Sequence, residues 1–302
     1  MTGGAAAAGA APGRWLAVAA LLFNAFSFGV SWWPFRQIGA LGLHPLWLTG
    51  ISFAGVVVVL LLWRPAALAE LWRTPSLWAL MVAAGVTNAS FNWAVSFGDV
   101  VRVVLLFYLM PLWAVLLARW LLGERISGRA ALRVALALAG AGVVLWPADA
   151  AAGAWPLPRN GAEWLAVLGG ISFALNNVML RREAHRSELA RSLAMFVGGA
   201  VVALLLAGLL TQRGLAAWPP AAAWGWTASA AAMALWFLAA NLALQHGAAR
   251  LPAHTTAVIL ITEVLWASVS AVALGAGSLG GQELLGALMI VGAALLAAVQ
   301  RD

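Results

Sequence analysis

Apolar runs long enough to cross a membrane recur ten times along this chain, at 15–34, 44–63, 76–97, 101–122, 130–147, 161–181, 190–210, 222–245, 253–274 and 281–299. A bilayer's hydrocarbon core takes about 20 apolar residues in a helix, so each run predicts one transmembrane helix. Only Gly98-Asp99 and Arg102 separate the third run from the fourth. The longest connectors, 148–160 and 211–220, are rich in Ala, Gly and Pro and read as loops. The first thirteen residues read as a mobile Ala/Gly tail. No basic residue precedes Arg14 and no clear cleavage site follows the first run, which therefore reads as a retained helix and not a signal peptide.

The pattern of five runs occurs twice, over 1–150 and 151–302. Phe26-Ser27-Phe28 in the first run matches Ile171-Ser172-Phe173 in the sixth, and the same spacing pairs Arg36 with Arg181. Leu112-Trp113-Ala114 in the fourth recurs as Leu265-Trp266-Ala267 in the ninth, followed by Leu122-Gly123 against Leu274-Gly275. Asn92 of the third run has a counterpart in Asn241 of the eighth. An odd number of crossings turns the second copy upside down, and inverted repeats are the architecture of secondary transporters. The expected fold is an all-α integral membrane protein of ten transmembrane helices, arranged as two five-helix inverted-topology repeats.

Composition agrees with a membrane solvent. The chain is 64% hydrophobic and 9% charged, against about 25% charged residues in a soluble domain. All 17 cationic side chains are arginines. With the N-terminus inside, thirteen of them fall on the cytoplasmic side, and only Arg36, Arg102, Arg159 and Arg213 fall opposite. That asymmetry obeys the positive-inside rule. It places both termini in the cytoplasm, and it accounts for the net charge of +7 without nucleic acid. Arginine without lysine, in an Ala- and Gly-rich chain, points to a GC-rich bacterial genome and hence to an inner membrane. The absence of cysteine excludes disulfides and thiol metal sites.

Met110-Pro111-Leu112-Trp113-Ala114, leading into Leu121-Leu122-Gly123-Glu124-Arg125, resembles the signature of the drug/metabolite transporter superfamily, EamA-type. That signature is a proline-containing fourth helix ending in a Leu-Gly-Glu-Arg turn. Within the superfamily the chain looks most like the YddG-type amino acid exporters, through the segment from Tyr108 to Trp113. Two departures stand out. Glu263-Val264 replaces the Glu-Pro of many members, which puts the kink of the ninth helix in doubt. Gly275-Ala276 stands where Gly-Glu would repeat, so that turn lacks its carboxylate.

Polar residues inside hydrocarbon are costly and face the bundle interior or a water-filled cavity. Asn24, Ser27 and Ser31 form one face of the first helix, with Trp32 and Trp33 at its end; Asn88, Asn92 and Ser96 form one face of the third. The sixth offers Ser172, Asn176 and Asn177, and the ninth Thr256, Glu263 and Ser270. These four stripes are expected to converge on a central cavity, although small polar residues also serve simply to bond neighbouring helices. Glu263 is a mid-helix carboxylate with two readings: a site for an ammonium group or a proton, or a structural carboxylate bonded to opened backbone. Trp93, Trp113, Trp236, Trp266 and the sole tyrosine, Tyr108, join Trp32 as aromatic walls suited to apolar or aromatic side chains. Arg36, Asp99 and Arg102 lie near the outer ends, as a gate or a surface ion pair.

Other motifs fail in context. Gly275-Ala-Gly277-Ser-Leu-Gly280 spells a dinucleotide fingerprint, but it follows a membrane helix and not a strand. His246 and His254, eight apart with Pro252 between them, are poorly spaced for a metal. Small residues at Ala135, Ala139, Gly142, Gly286 and Gly292 permit close helix packing, either as a dimer face or inside the bundle.

These features predict a secondary transporter that exports small metabolites, neutral or aromatic amino acids first among them, by alternating access, with Pro111, Gly29 and Gly98 as hinges. No cofactor and no metal is expected. The partners are a small-molecule substrate and the lipid bilayer, with no nucleic acid, in a monomer or a homodimer. The alternative is an exporter of cationic or lipophilic drugs on the same scaffold. An intramembrane enzyme would need a cluster of His, Asp or Cys, and the ten scattered carboxylates do not supply one.

Overall fold

The computed structural model describes residues 10–123, 128–146, 157–221, 224–248, 250–251 and 253–299. Those residues form thirteen helices and no strand. They are α1 (Ala10–Gly29), α2 (Trp32–Ala40), α3 (Pro45–Trp63), α4 (Ala66–Arg73), α5 (Pro75–Phe97), α6 (Val100–Phe107), α7 (Met110–Leu122), α8 (Gly128–Leu145), α9 (Gly161–Arg182), α10 (Glu188–Gln212), α11 (Trp224–Ala248), α12 (Ala253–Ala273) and α13 (Gly281–Val299).

Thirteen helices replace the ten expected, for two reasons. Two apolar runs are broken by proline. Pro34 has no N–H for the carbonyl of Val30, which instead accepts from Trp33, and the chain turns between α1 and α2. Pro111 likewise leaves the carbonyl of Phe107 without its helical donor, separating α6 from α7. Val264 carries a normal N–H, and α12 runs unbroken through it. The second reason is α4, a short amphipathic helix between two spans, with Leu71 buried and Trp72 exposed.

Seven segments are long and apolar enough to cross a membrane: Trp15–Ala40, Pro45–Trp63, Val100–Leu121, Gly128–Leu145, Gly161–Arg182, Glu188–Gln212 and Trp224–Leu244. The third expected span, α5, is long enough at 23 residues. Thr87, Asn88, Ser90, Asn92 and Ser96 lower its apolarity. Shorter apolar stretches at Ile259–Ala273 and Gly281–Leu296 lie within α12 and α13.

Packing runs mainly between the two halves of the sequence. Helix α5 packs on α9 and α10, α1 on α11 and α12, α3 on α10, α8 on α13, and α9 on α6 and α7. Backbones approach most closely where glycine removes the side chain. A Cβ on Gly198 of α10 would collide with the carbonyl of Met81 in α5. Gly286 of α13 meets Val144 and the carbonyl of Gly140 in α8, so it packs inside the bundle, whereas Gly142 faces open space. One apolar core gathers around α6, α7, α12 and α13, and a second around α2, α3, α10 and α11.

Candidate functional site

Four phenylalanines and two asparagines enclose a small cavity where α1, α3, α5, α10 and α11 meet. Phe28, Phe53, Phe196 and Phe237 line it with Met195, Asn88 and Asn241, around a volume of about 50 Å³. The rings hold one another: Phe53 lies 5.3 Å from Phe196 and 5.6 Å from Phe237, and Phe28 lies 5.7 Å from Phe237. Such edge and tilted contacts are the favoured geometries of aromatic pairs. Asn88 spends one amide proton on the carbonyl of Ala84, one turn back. A drug-sized ligand takes roughly 300 Å³ or more, so the cage is closed down to the scale of a water or two.

A second cavity of about 540 Å³ opens where the end of α2, the start of α3 and the end of α5 come together. Arg36, His44 and Ser96 give it polar walls; Phe35, Trp93 and Phe97 give it aromatic ones. His44 precedes the span Pro45–Trp63 and caps α3 by accepting the N–H of Leu46 on Nδ1 at 3.2 Å. Burial holds its imidazole below the ordinary value of 6.5.

Among the described residues, neither of these two cavities gathers all four expected stripes. Asn24 is buried and donates to the carbonyl of Ala240 at 2.8 Å, tying α1 to α11. Asn92 donates to Thr49 Oγ1 at 3.1 Å, tying α5 to α3. Its repeat counterpart Asn241 lines the cage with Asn88. Ser31 donates to the carbonyl of Phe28, and Ser172 to those of Leu168 and Gly169. Ser27 Oγ, Asn176 Oδ1 and Trp113 Nε1 are buried with no hydrogen-bond partner among the described residues. The side chain of Thr256 lies outside the described residues. Polar groups on helices satisfy themselves on nearby carbonyls when no water competes: Ser31, Asn88, Ser96 and Ser172 bond carbonyls three or four residues back, and Asn24 and Asn92 tie neighbouring helices.

The aromatic candidates divide similarly. Trp93 lines the larger cavity, with His44 5.6 Å from its ring. Trp32 is buried, donates to Ser270 Oγ at 3.0 Å and lies under the Arg36 guanidinium, 5.3 Å from ring centroid to Cζ. Trp236 donates to the carbonyl of Ser27 at 3.5 Å. Trp266 is 42% exposed, with Phe26 edge-on at 5.3 Å, and lines neither cavity. Tyr108 caps α6 at the proline break and donates its hydroxyl to Glu263 Oε2 at 3.1 Å. The cage phenylalanines escaped the sequence reading because it weighed only tryptophan and tyrosine as aromatic walls. Phe28, next to Ser27 in the matched triplet, was the available signal.

One end of the bundle carries an ionic cluster. Arg102 Nε lies 3.0 Å from Glu163 Oε1, and Nη1 lies 3.5 Å from Glu283 Oε1. Asp99 caps α6 through the N–H of Arg102 and accepts the N–H of Ser278 at 2.9 Å. The cluster therefore joins α6, α9, the α12–α13 turn and α13, so Arg102 is an ion-pair residue and not a lone charge. At the other end, Ser187 Oγ donates to Glu70 at 2.6 Å, linking α4 to the start of α10.

Residues 15–146 match the EamA-like transporter family. The matched segment runs from α1 to the end of α8 and includes the broken α6–α7 helix, Asn88, Asn92 and the Arg36 cavity. A solved structure described only as "Crystal structure of protein" is similar in fold, with a TM-score of 0.55 at 17% identity, over 94% of this chain and 96% of that one. No curated protein matches. The apolar helices and the similarity of residues 15–146 to that family support a multi-pass membrane protein.

Proposed function

We propose that the chain exports neutral or aromatic amino acids across the bacterial inner membrane by alternating access, with both termini cytoplasmic. The observation that carries this reading is the cage of Phe28, Phe53, Phe196 and Phe237 closed over Asn88 and Asn241. Aromatic rings stabilise an apolar or aromatic side chain by area burial and edge contacts. Asparagine amides offer both donors and acceptors, which suits a zwitterion without favouring either net charge.

In this proposal ten units cross the bilayer as two inverted repeats, 1–150 and 151–302, with α1–α2 and α6–α7 each counting as one broken unit. The pairing of helices supports it. Exchanging each first-half unit for its second-half counterpart turns the α5–α9 contact into the α11–α1 contact, and the contacts of α6 and α7 with α9 into that of α12 with α1. Because these contacts cross between the halves, the moving bodies are mixed. One groups α1, α11 and α12; the other groups α9, α5, α6 and α7. Their separation would widen the 50 Å³ cage to solute size, with the proline breaks absorbing the backbone change.

Uptake of labelled phenylalanine into proteoliposomes of the purified full-length protein tests the reading. Saturable flux is expected, reduced about tenfold or more by Asn88→Leu through loss of a polar contact to the solute. Absence of flux for every neutral amino acid, in vesicles where a control carrier works, would overturn it and pass the scaffold to a panel of cationic and lipophilic drugs.

A further inference from the structure

The 540 Å³ cavity is built from three helix termini and is separate from the cage. Arg36 is held rigidly on one wall. Its Nε donates to the carbonyl of Val95 at 3.0 Å, and its Nη2 donates to that of Gly98. Val95 lies in the last turn of α5 and Gly98 is its C-cap, where carbonyls lack intrahelical donors. Capping α5 accounts for one edge of the guanidinium. It leaves Nη1 with no protein partner among the described residues. The Trp32 ring lies 5.3 Å from the guanidinium carbon and fixes its plane. A guanidinium oriented in advance loses little freedom when it meets an anion.

The other walls complete a recognition surface. His44 uses Nδ1 to accept the N–H of Leu46, so the neutral ring carries its proton on Nε2 as a second donor. Trp93 and Phe97, with ring centroids 6.4 Å apart, supply an apolar face beside these donors. Asp99 does not line the cavity; its carboxylate accepts the backbone N–H groups of Arg102 and Ser278 and the Ser278 hydroxyl, while its charge also acts on Arg36. The volume falls within the range of small-molecule sites, roughly 300–1,000 Å³.

We infer that this cavity binds a small amphipathic carboxylate from the aqueous side, its carboxylate on Arg36 Nη1 and His44 Nε2 and its aromatic or aliphatic body against Trp93 and Phe97. The site stands whether or not the same solute is carried through the membrane.

The test is fluorine NMR titration of para-fluorophenylacetate onto the full-length protein in phosphatidylcholine nanodiscs, with para-fluorophenethylamine as a cation of matching size. Saturable binding of the carboxylate and none of the amine is expected. Ser96→Trp fills the cavity from α5 without disturbing the Arg36 bonds, and Arg36→Lys keeps the charge but loses the fork. Each weakens binding by about tenfold or more. Asn88→Leu, in the cage, retains the affinity, which separates this site from the transport reading. Should Arg36→Lys unfold, Ser96→Trp and His44→Gln decide. Failure of the folded protein to bind, equal binding of the amine, or loss in Asn88→Leu with retention in Ser96→Trp would overturn the site. So would displacement of the probe when phosphatidylglycerol enters the nanodisc, since a lipid headgroup would then be its occupant.

Discussion

Tyr108 donates its hydroxyl to Glu263 across 3.1 Å, and the bond joins the proline break of α6–α7 to the unbroken α12. A carboxylate in a helix bundle needs a donor, and deleting one partner of such a bond costs more than deleting both. Tyr108→Phe is therefore expected to lower stability by about 2 kcal/mol, read as a lower unfolding temperature in detergent. The double variant Tyr108→Phe with Glu263→Gln should recover part of that loss. Equal stability of Tyr108→Phe and the parent would show that the bond contributes nothing to holding the two helices.

The Arg102 cluster closes one end of the molecule by bridging Glu163 on α9 and Glu283 on α13. Glu163 is only 4% exposed, so removal of the arginine takes the charged partner from a buried acid and leaves it the Arg159 N–H on Oε2. Arg102→Gln is expected to loosen that end and raise solvent access to the cage. The chain contains no cysteine, so Asn88→Cys gives a single thiol for labelling without background. A membrane-impermeant thiol reagent should modify Asn88→Cys about tenfold faster with Arg102→Gln present. Unchanged labelling would mean that the cluster is structural and gates nothing.

Close packing of α5 on α10 makes a sharper prediction. A methyl group on Gly198 would collide with the Met81 carbonyl, which is backbone and cannot swing aside. Gly198→Ala should cost about 1–3 kcal/mol or shift the helices apart. Gly208 lies on the same helix with nothing within 4 Å of its added Cβ. Gly208→Ala should be neutral or mildly stabilising, because alanine restricts the unfolded chain. Thermal unfolding of the two variants side by side decides the matter, and equal effects would refute the contact.

Helix positions were legible in the sequence because a hydrocarbon solvent demands long apolar runs, and among the described residues most of each run is helical. The breaks were legible only in part. Pro111 sits inside an apolar run and reads as a hinge, whereas Pro34 falls at the end of the first run, where nothing in the pattern distinguishes a break from a helix end. The site was less legible. A helical stripe such as Asn24–Ser27–Ser31 shows which residues share a face, but not whether that face meets a cavity or a neighbour's carbonyl. Asn24 found Ala240 and Asn92 found Thr49, partners hundreds or tens of residues away that no local pattern encodes. The cage arises likewise from five helices, each contributing one or two side chains.

His44 gives the chain a pH-dependent joint outside its spans. Its Nδ1 caps α3 by accepting the N–H of Leu46, and the ring is packed against Trp93 in the cavity that also holds Arg36. Protonation would cost the cap its acceptor, place a cation at a helix N-terminus where the dipole opposes it, and add positive charge beside the guanidinium. These effects agree in sign with the burial that holds the imidazole below 6.5. The folded state then binds fewer protons than the unfolded state once pH falls below 6.5, so stability is full above that value and declines as pH drops towards the lower folded value. Unfolding temperature measured from about pH 7.5 to about pH 5 should fall more steeply for the parent than for His44→Gln, which cannot titrate. Parallel curves for the two proteins would mean that His44 protonates freely and that its cap on α3 carries no weight.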